Sequence, residues 1–178
     1  MKTTKKLTVS AMAVALGTVF MVVGAVFEVM DMTASALASL LVAIIYVEVG
    51  SPYTFLVWIA TTLTTALLYP GSAMWIMYLL LFGIYPIVKG YIERLPRTLW
   101  LILKLLFGNL MMALIFLGCS FILGIPLDME LFGLPTGAVY AIFAVLVNLA
   151  LILYDLFLTV LIRFYMVKLH PVLRKVLK

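Results

Sequence analysis

The chain has 178 residues, 67% of them hydrophobic and only 11% charged, with a mean hydropathy of +1.30. Soluble domains carry about 25% charged residues, so a soluble globular protein is excluded. The formal net charge of +5 must then reflect orientation in a membrane rather than nucleic acid. A single cysteine, Cys119, allows no internal disulfide and reads as a buried apolar side chain.

Leu7 to Phe27 is an apolar run preceded by Lys2, Lys5 and Lys6 and followed by Glu28 and Asp31. Basic in front and acidic behind marks an oriented membrane span. The run is longer than the h-region of a secretory leader, about 7–15 residues, so a retained span is expected rather than a cleaved signal. Within it, Ala11/Ala15 and Ala13/Gly17 form small-xxx-small pairs that allow another helix backbone to come close.

Glycine, proline and charge divide the rest into five further spans of one membrane domain: 33–49, 53–69, 72–88, 98–123 and 136–163. The second and third are near the short limit of about 17 residues for crossing a bilayer, and a re-entrant hairpin is the other reading of that pair. The second repeats the small-residue pattern with Ala34/Ala38 and Ser35/Ser39. In the third, Thr61, Thr62, Thr64 and Thr65 suggest a face turned toward protein, although such hydroxyls also bond their own backbone at i−4. Pro86 should kink the fourth near Phe82-Gly83, and Lys89 to Arg97 reads as a polar hairpin.

Six crossings put both termini on one side. With that side cytoplasmic, Lys2, Lys5, Lys6, Lys89, Arg94, Arg97, Lys104, Arg163, Lys168, Arg174, Lys175 and Lys178 all fall in or toward the cytoplasmic half, while Glu28, Asp31, Asp128 and Glu130 fall outside. The expectation is an all-α, six-helix bundle in a cell membrane with both ends in the cytoplasm. Tyr69, Trp75 and Tyr78 near the outer turn and Tyr91 and Trp100 near the inner one fit an aromatic belt. The functional alternative has Trp75 and Tyr78 lining an outward-facing pocket.

Polar side chains at membrane depth need partners. Asp155 lies about 12 Å up the sixth helix from Arg163, and Lys104 about 10 Å up the fifth from Arg97. Their matched depths predict an intramembrane ion pair, read either as structural or as a proton- or ion-coupling device. Asn109 and Asn148 are similarly matched for a hydrogen bond, and Glu48 can snorkel or pair with Arg94 or Arg97.

The sequence lacks G-x-x-x-x-G-K-[ST] and H-E-x-x-H, and its one histidine, His170, sits in the tail. No ATP hydrolysis, metal, cofactor or catalytic triad is expected.

With its lysine-rich start, the alanine-spaced stretch Leu7 to Leu16, the short loop carrying Asp31 and six spans in under two hundred residues, the chain resembles the substrate-binding S components of energy-coupling factor (ECF) transporters. The resemblance implies that the alanine-spaced face docks on a transmembrane T component, which two ATPase subunits drive. It also implies a vitamin-like small solute bound near the outer surface. By location, Glu28, Asp31, Trp75, Tyr78, Asn109 and Asn148 would then lie near that solute, and Ala11, Ala15, Ala13 and Gly17 would serve docking. The competing class is a non-catalytic membrane scaffold, similar to small spanning subunits of cell-shape complexes such as MreD.

Overall fold

A computed structural model describes residues 3–27, 30–124 and 136–169. Glu28, Asp128, Glu130 and His170 therefore lie outside the described residues. Described residues form helices and no strand: α1 (Thr3–Val26), α2 (Asp31–Glu48), α3 (Ser51–Leu68), α4 (Met74–Ile92), α5 (Arg97–Leu123) and α6 (Thr136–Phe164), which continues as a wide turn over Tyr165–Leu169. All six are long and apolar enough to cross a membrane. The second and third are each continuous helices of 18 residues. At 1.5 Å per residue each is about 27 Å long.

Helices α1, α2 and α3 pack on one another through small and hydroxylated residues. Ala13, Ala34, Ala38, Ser35 and Ser39 are buried, and Gly24 brings α1 so close to α2 that an added Cβ would lie 2.4 Å from the Ala34 Cβ. Small residues maximise van der Waals contact where lipid offers no hydrophobic gradient between helices. The threonines of α3 face this core: Thr61, Thr62 and Thr65 are buried. Thr62, Thr64 and Thr65 donate to the carbonyls of Trp58, Ala60 and Thr61 at 2.9, 2.8 and 2.8 Å, and Thr64 also meets Thr18 at 2.7 Å. The polarity of Thr62, Thr64 and Thr65 is thus consumed within the bundle. The turn into α3 rests on Gly50, whose φ of +100° is open to glycine and strained for other residues.

The bundle is built around α4. Half of its most apolar window is buried, against 11% for α6, and its residues contribute to every core cluster: Met74, Tyr78 and Ile87 to one, Ile76 and Leu81 to the next, Tyr85 to the third. Burying a helix with a broken ladder requires partners for the freed carbonyls. Pro86 lacks the N–H that would bond Phe82 O, and the helix widens over Tyr78–Phe82 so that Gly83 N bonds Tyr78 O at 2.8 Å, leaving Leu79 O free. Trp58 Nε1 donates to Leu79 O at 3.2 Å and the Tyr154 hydroxyl faces Phe82 O at 3.4 Å. Neighbouring helices therefore cap the break from outside. The helix restarts at Tyr85 with Pro86 in its first turn, where a missing N–H costs nothing.

Two helices extend four residues beyond their sequence reading: α1 begins at Thr3 instead of Leu7, and α4 changes what its last residues do. The fourth helix does not end at Val88 but runs to Ile92, so Lys89 lies in a helix instead of a polar hairpin, and the hairpin shrinks to Glu93–Pro96. The reason is tertiary: the Lys89 ammonium, only 3% exposed, finds carboxylates inside the bundle.

Candidate functional site

The side chains with the most chemistry come together where the end of α4 meets α5 and α6. Lys89 lies on the last turn of α4 and Glu93 just beyond it. The i,i+4 spacing puts both on one face, and Lys89 Nζ is 2.9 Å from Glu93 Oε1. Lys104, two turns into α5, reaches the same Glu93 Oε1 at 2.9 Å and Asp155 Oδ2 of α6 at 2.9 Å. Lys89 also contacts Asp155 Oδ1, which accepts a third hydrogen bond from the Tyr85 hydroxyl at 2.8 Å. Lys89 Nζ also donates a hydrogen bond to Thr159 Oγ1 at 2.8 Å.

Each lysine thus touches both carboxylates, and the ring of four is neutral. An isolated charge at membrane depth is expensive, whereas two cations sharing two anions and a phenol are each compensated several times. Exposure is graded across the ring, from Lys89 (3%) and Lys104 (10%) to Asp155 (20%) and Glu93 (33%). Burial alone would push the Glu93 carboxyl up, but the hydrogen bonds from Lys104 and Lys89 outweigh it and hold the group below the usual carboxylate range. A lowered folded-state value adds stability that is present above the unfolded value and lost as pH falls through the folded one. Beside the ring lies a cavity of about 130 Å³ whose lining includes Tyr85, Lys104, Leu105, Leu151 and Asp155. All the charges bordering it are already bonded to one another, so the arrangement fastens three helices together and presents no free acid, base or nucleophile.

Sequence reasoning paired Lys104 with Asp155 and missed Lys89, Glu93 and Tyr85. The i,i+4 spacing of Lys89 and Glu93 was the available signal. It was masked by reading the polar stretch as a loop.

Asn109 and Asn148 form a reciprocal amide pair, Nδ2 to Oδ1 at 2.8 and 3.1 Å, and each amide also donates to its own helix, at Leu105 O and Ala144 O, both 2.8 Å. Both N–H groups of each amide are used, so the pair clamps α5 to α6. Trp75 and Tyr78 pack in different clusters: Tyr78 is fully buried among α1, α2 and α3 residues, whereas Trp75 lies by Ile76 and α5 with its Nε1 on Pro70 O at 3.1 Å. Asp31 opens α2. The Glu48 carboxylate accepts from the Tyr165 hydroxyl at 2.7 Å, while Arg94 donates to the Tyr46 hydroxyl at 3.2 Å.

A second cavity, of about 80 Å³, opens between α2, α4, α5 and α6. Its lining is apolar and soft, including Met32, Met77, Met112, Phe82 and Leu151, with one hydroxyl, that of Tyr154, already 2.7 Å from Ser39 Oγ. None of Asp31, Trp75, Tyr78, Asn109 and Asn148 lines it. Methionines inside an apolar run carry no sequence signal for a pocket, because they are ordinary core residues as well.

On α1 the two small pairs diverge. Ala13 and Gly17 are buried, and a Cβ on Gly17 would meet the Thr61 side chain at 3.3 Å. Ala11 and Ala15 lie on the outer side, together with exposed Met12, Leu16 and Val19. Among the described residues no group of three His, Cys, Asp or Glu side chains is placed to hold a metal ion. Compared with known proteins, the chain matches no family model, no curated protein and no solved structure.

Proposed function

We propose that this chain is a non-catalytic, membrane-embedded solute-binding subunit for uptake, working in the manner of an ECF S component. In this reading α1 docks on a separate T component that two ATPase subunits drive. The observation that carries it is the divergence on α1. Ala13 and Gly17 satisfy the bundle's own packing, and Ala11 and Ala15 leave a second smooth strip facing away from it. Met32, at one rim of the cavity between α2, α4, α5 and α6, opens α2 and lies toward the end of the bundle away from the start of α1, so solute would enter from that end while the partner engages the outer side of α1.

The orientation that suits this role has both termini in the cytoplasm. Lys5, Lys6, Lys89, Arg94, Arg97, Arg163 and Lys168 lie at helix ends that six successive crossings bring to one side. In a Cys119→Ala background, a membrane-impermeant thiol reagent should label Gly71→Cys from outside and Leu95→Cys only from inside. Labelling in the reverse sense would overturn the orientation.

Docking is tested by Ala11→Trp and Ala15→Trp. Both positions are exposed, so the isolated chain should fold and retain any solute that copurifies with it, while complex formation and ATP-driven uptake are lost when the partner subunits are supplied. Undiminished uptake with both tryptophans present would refute docking through this strip. A protein that carries no solute and binds other membrane proteins instead would be a scaffold.

A further inference from the structure

An apolar groove lies apart from the charged ring and the methionine-lined cavity. It runs between α2 and the end of α6, has a volume of about 230 Å³, and is lined on α2 by Leu40, Ala43, Ile44 and Val47. These positions are spaced i, i+3, i+4, i+7, one continuous helix face. The opposite wall comes from the last turns of α6 and includes Phe164 and Tyr165.

Three features define what fits there. The groove lies within two spans that cross a membrane by length and composition, so its natural filling is hydrocarbon. It runs toward the ends of both spans, where hydrocarbon gives way to headgroups. That end carries a cation: the Lys168 ammonium sits 5.2 Å from the centre of the Phe164 ring, itself part of the wall. The acidic group at the same end, Glu48, already accepts the hydroxyl proton of Tyr165 at 2.7 Å, which ties α2 to α6 beside the groove. An extended acyl chain can lie along this groove, and about 230 Å³ accommodates part of its length.

We infer that this groove holds one acyl chain of an anionic phospholipid whose phosphate is paired with Lys168. A basic pocket between spanning helices favours anionic headgroups in this way. The lipid would supply packing that α6 lacks, since only 11% of that helix's most apolar window is buried within the bundle.

The test uses the full-length chain in nanodiscs containing equal amounts of phosphatidylglycerol and phosphatidylcholine of the same acyl composition, followed by native mass spectrometry of retained lipid. Phosphatidylglycerol should be retained preferentially. Lys168→Gln should cut that preference about fivefold, the factor equivalent to about 1 kcal/mol for one cation at an anionic surface. Val47→Trp, which fills the groove, should abolish retention of both lipids at this site. Equal retention of the two lipids by the unaltered chain, or an unchanged preference in Lys168→Gln, overturns the inference. Lys168 is at the exposed surface, so its variant remains decisive even if the tryptophan disturbs folding.

Discussion

Replacing Lys89 with methionine is expected to cost about 3–5 kcal/mol of stability, the penalty for leaving a buried charge without its partner. The ammonium is 3% exposed and bonds Glu93, Asp155 and Thr159, so its loss leaves two carboxylates to share Lys104. Lys104→Met and Asp155→Asn should behave similarly, each leaving the ring with an unbalanced charge. Charge-balanced pairs should be milder than either of their single changes. Lys104→Met with Asp155→Asn preserves the Lys89–Glu93 contact at 2.9 Å, and Lys89→Met with Glu93→Gln preserves Lys104–Asp155 at 2.9 Å. Glu93→Gln alone should cost less than the buried changes, because the group is a third exposed and solvent screens it. It should also remove the part of the unaltered protein's stability that disappears as pH falls below the ordinary carboxylate range. Thermal unfolding in detergent gives all of these quantities. Simple additivity of Lys104→Met and Asp155→Asn would mean the ring is not a coupled unit.

The other large effect is expected at Gly24. A Cβ there would stand 2.4 Å from the Ala34 Cβ and 2.6 Å from the Met74 Cε. The methionine end can turn aside, but the alanine Cβ moves only with its helix. Gly24→Leu must therefore push α1 away from α2 at the level where α4 begins, and overpacking of this kind costs about 1–3 kcal/mol or more. Gly137→Ala is the control: nothing lies within 4 Å of its added Cβ, and alanine favours a helix over glycine by about 1 kcal/mol. The melting temperature should fall clearly for the first variant and hold or rise for the second. A Gly24→Leu protein as stable as the unaltered chain would show that α1 and α2 are not in close contact there.

Six apolar runs separated by glycine, proline and charge were enough for the sequence to define an all-helical chain with six candidate spans. A span is legible because each one must meet the membrane's demand for about 20 apolar residues by itself. Matched depth was likewise legible for Lys104 with Asp155 and for Asn109 with Asn148, since residues at equal distance from helix ends on adjacent helices have few other partners. Rotation about each helix axis was not legible. With apolar residues all round, no hydrophobic stripe says which side faces inward. Only the tertiary structure turned Ala13 and Gly17 in and Ala11 and Ala15 out, buried Tyr78 while leaving Trp75 in a different cluster, and made methionines of three helices into a cavity wall. It also decided that Lys89 belongs to a helix. A lysine ends a span when water is its best partner, and it extends one when a carboxylate one turn on and another from a neighbouring helix meet it at the same depth.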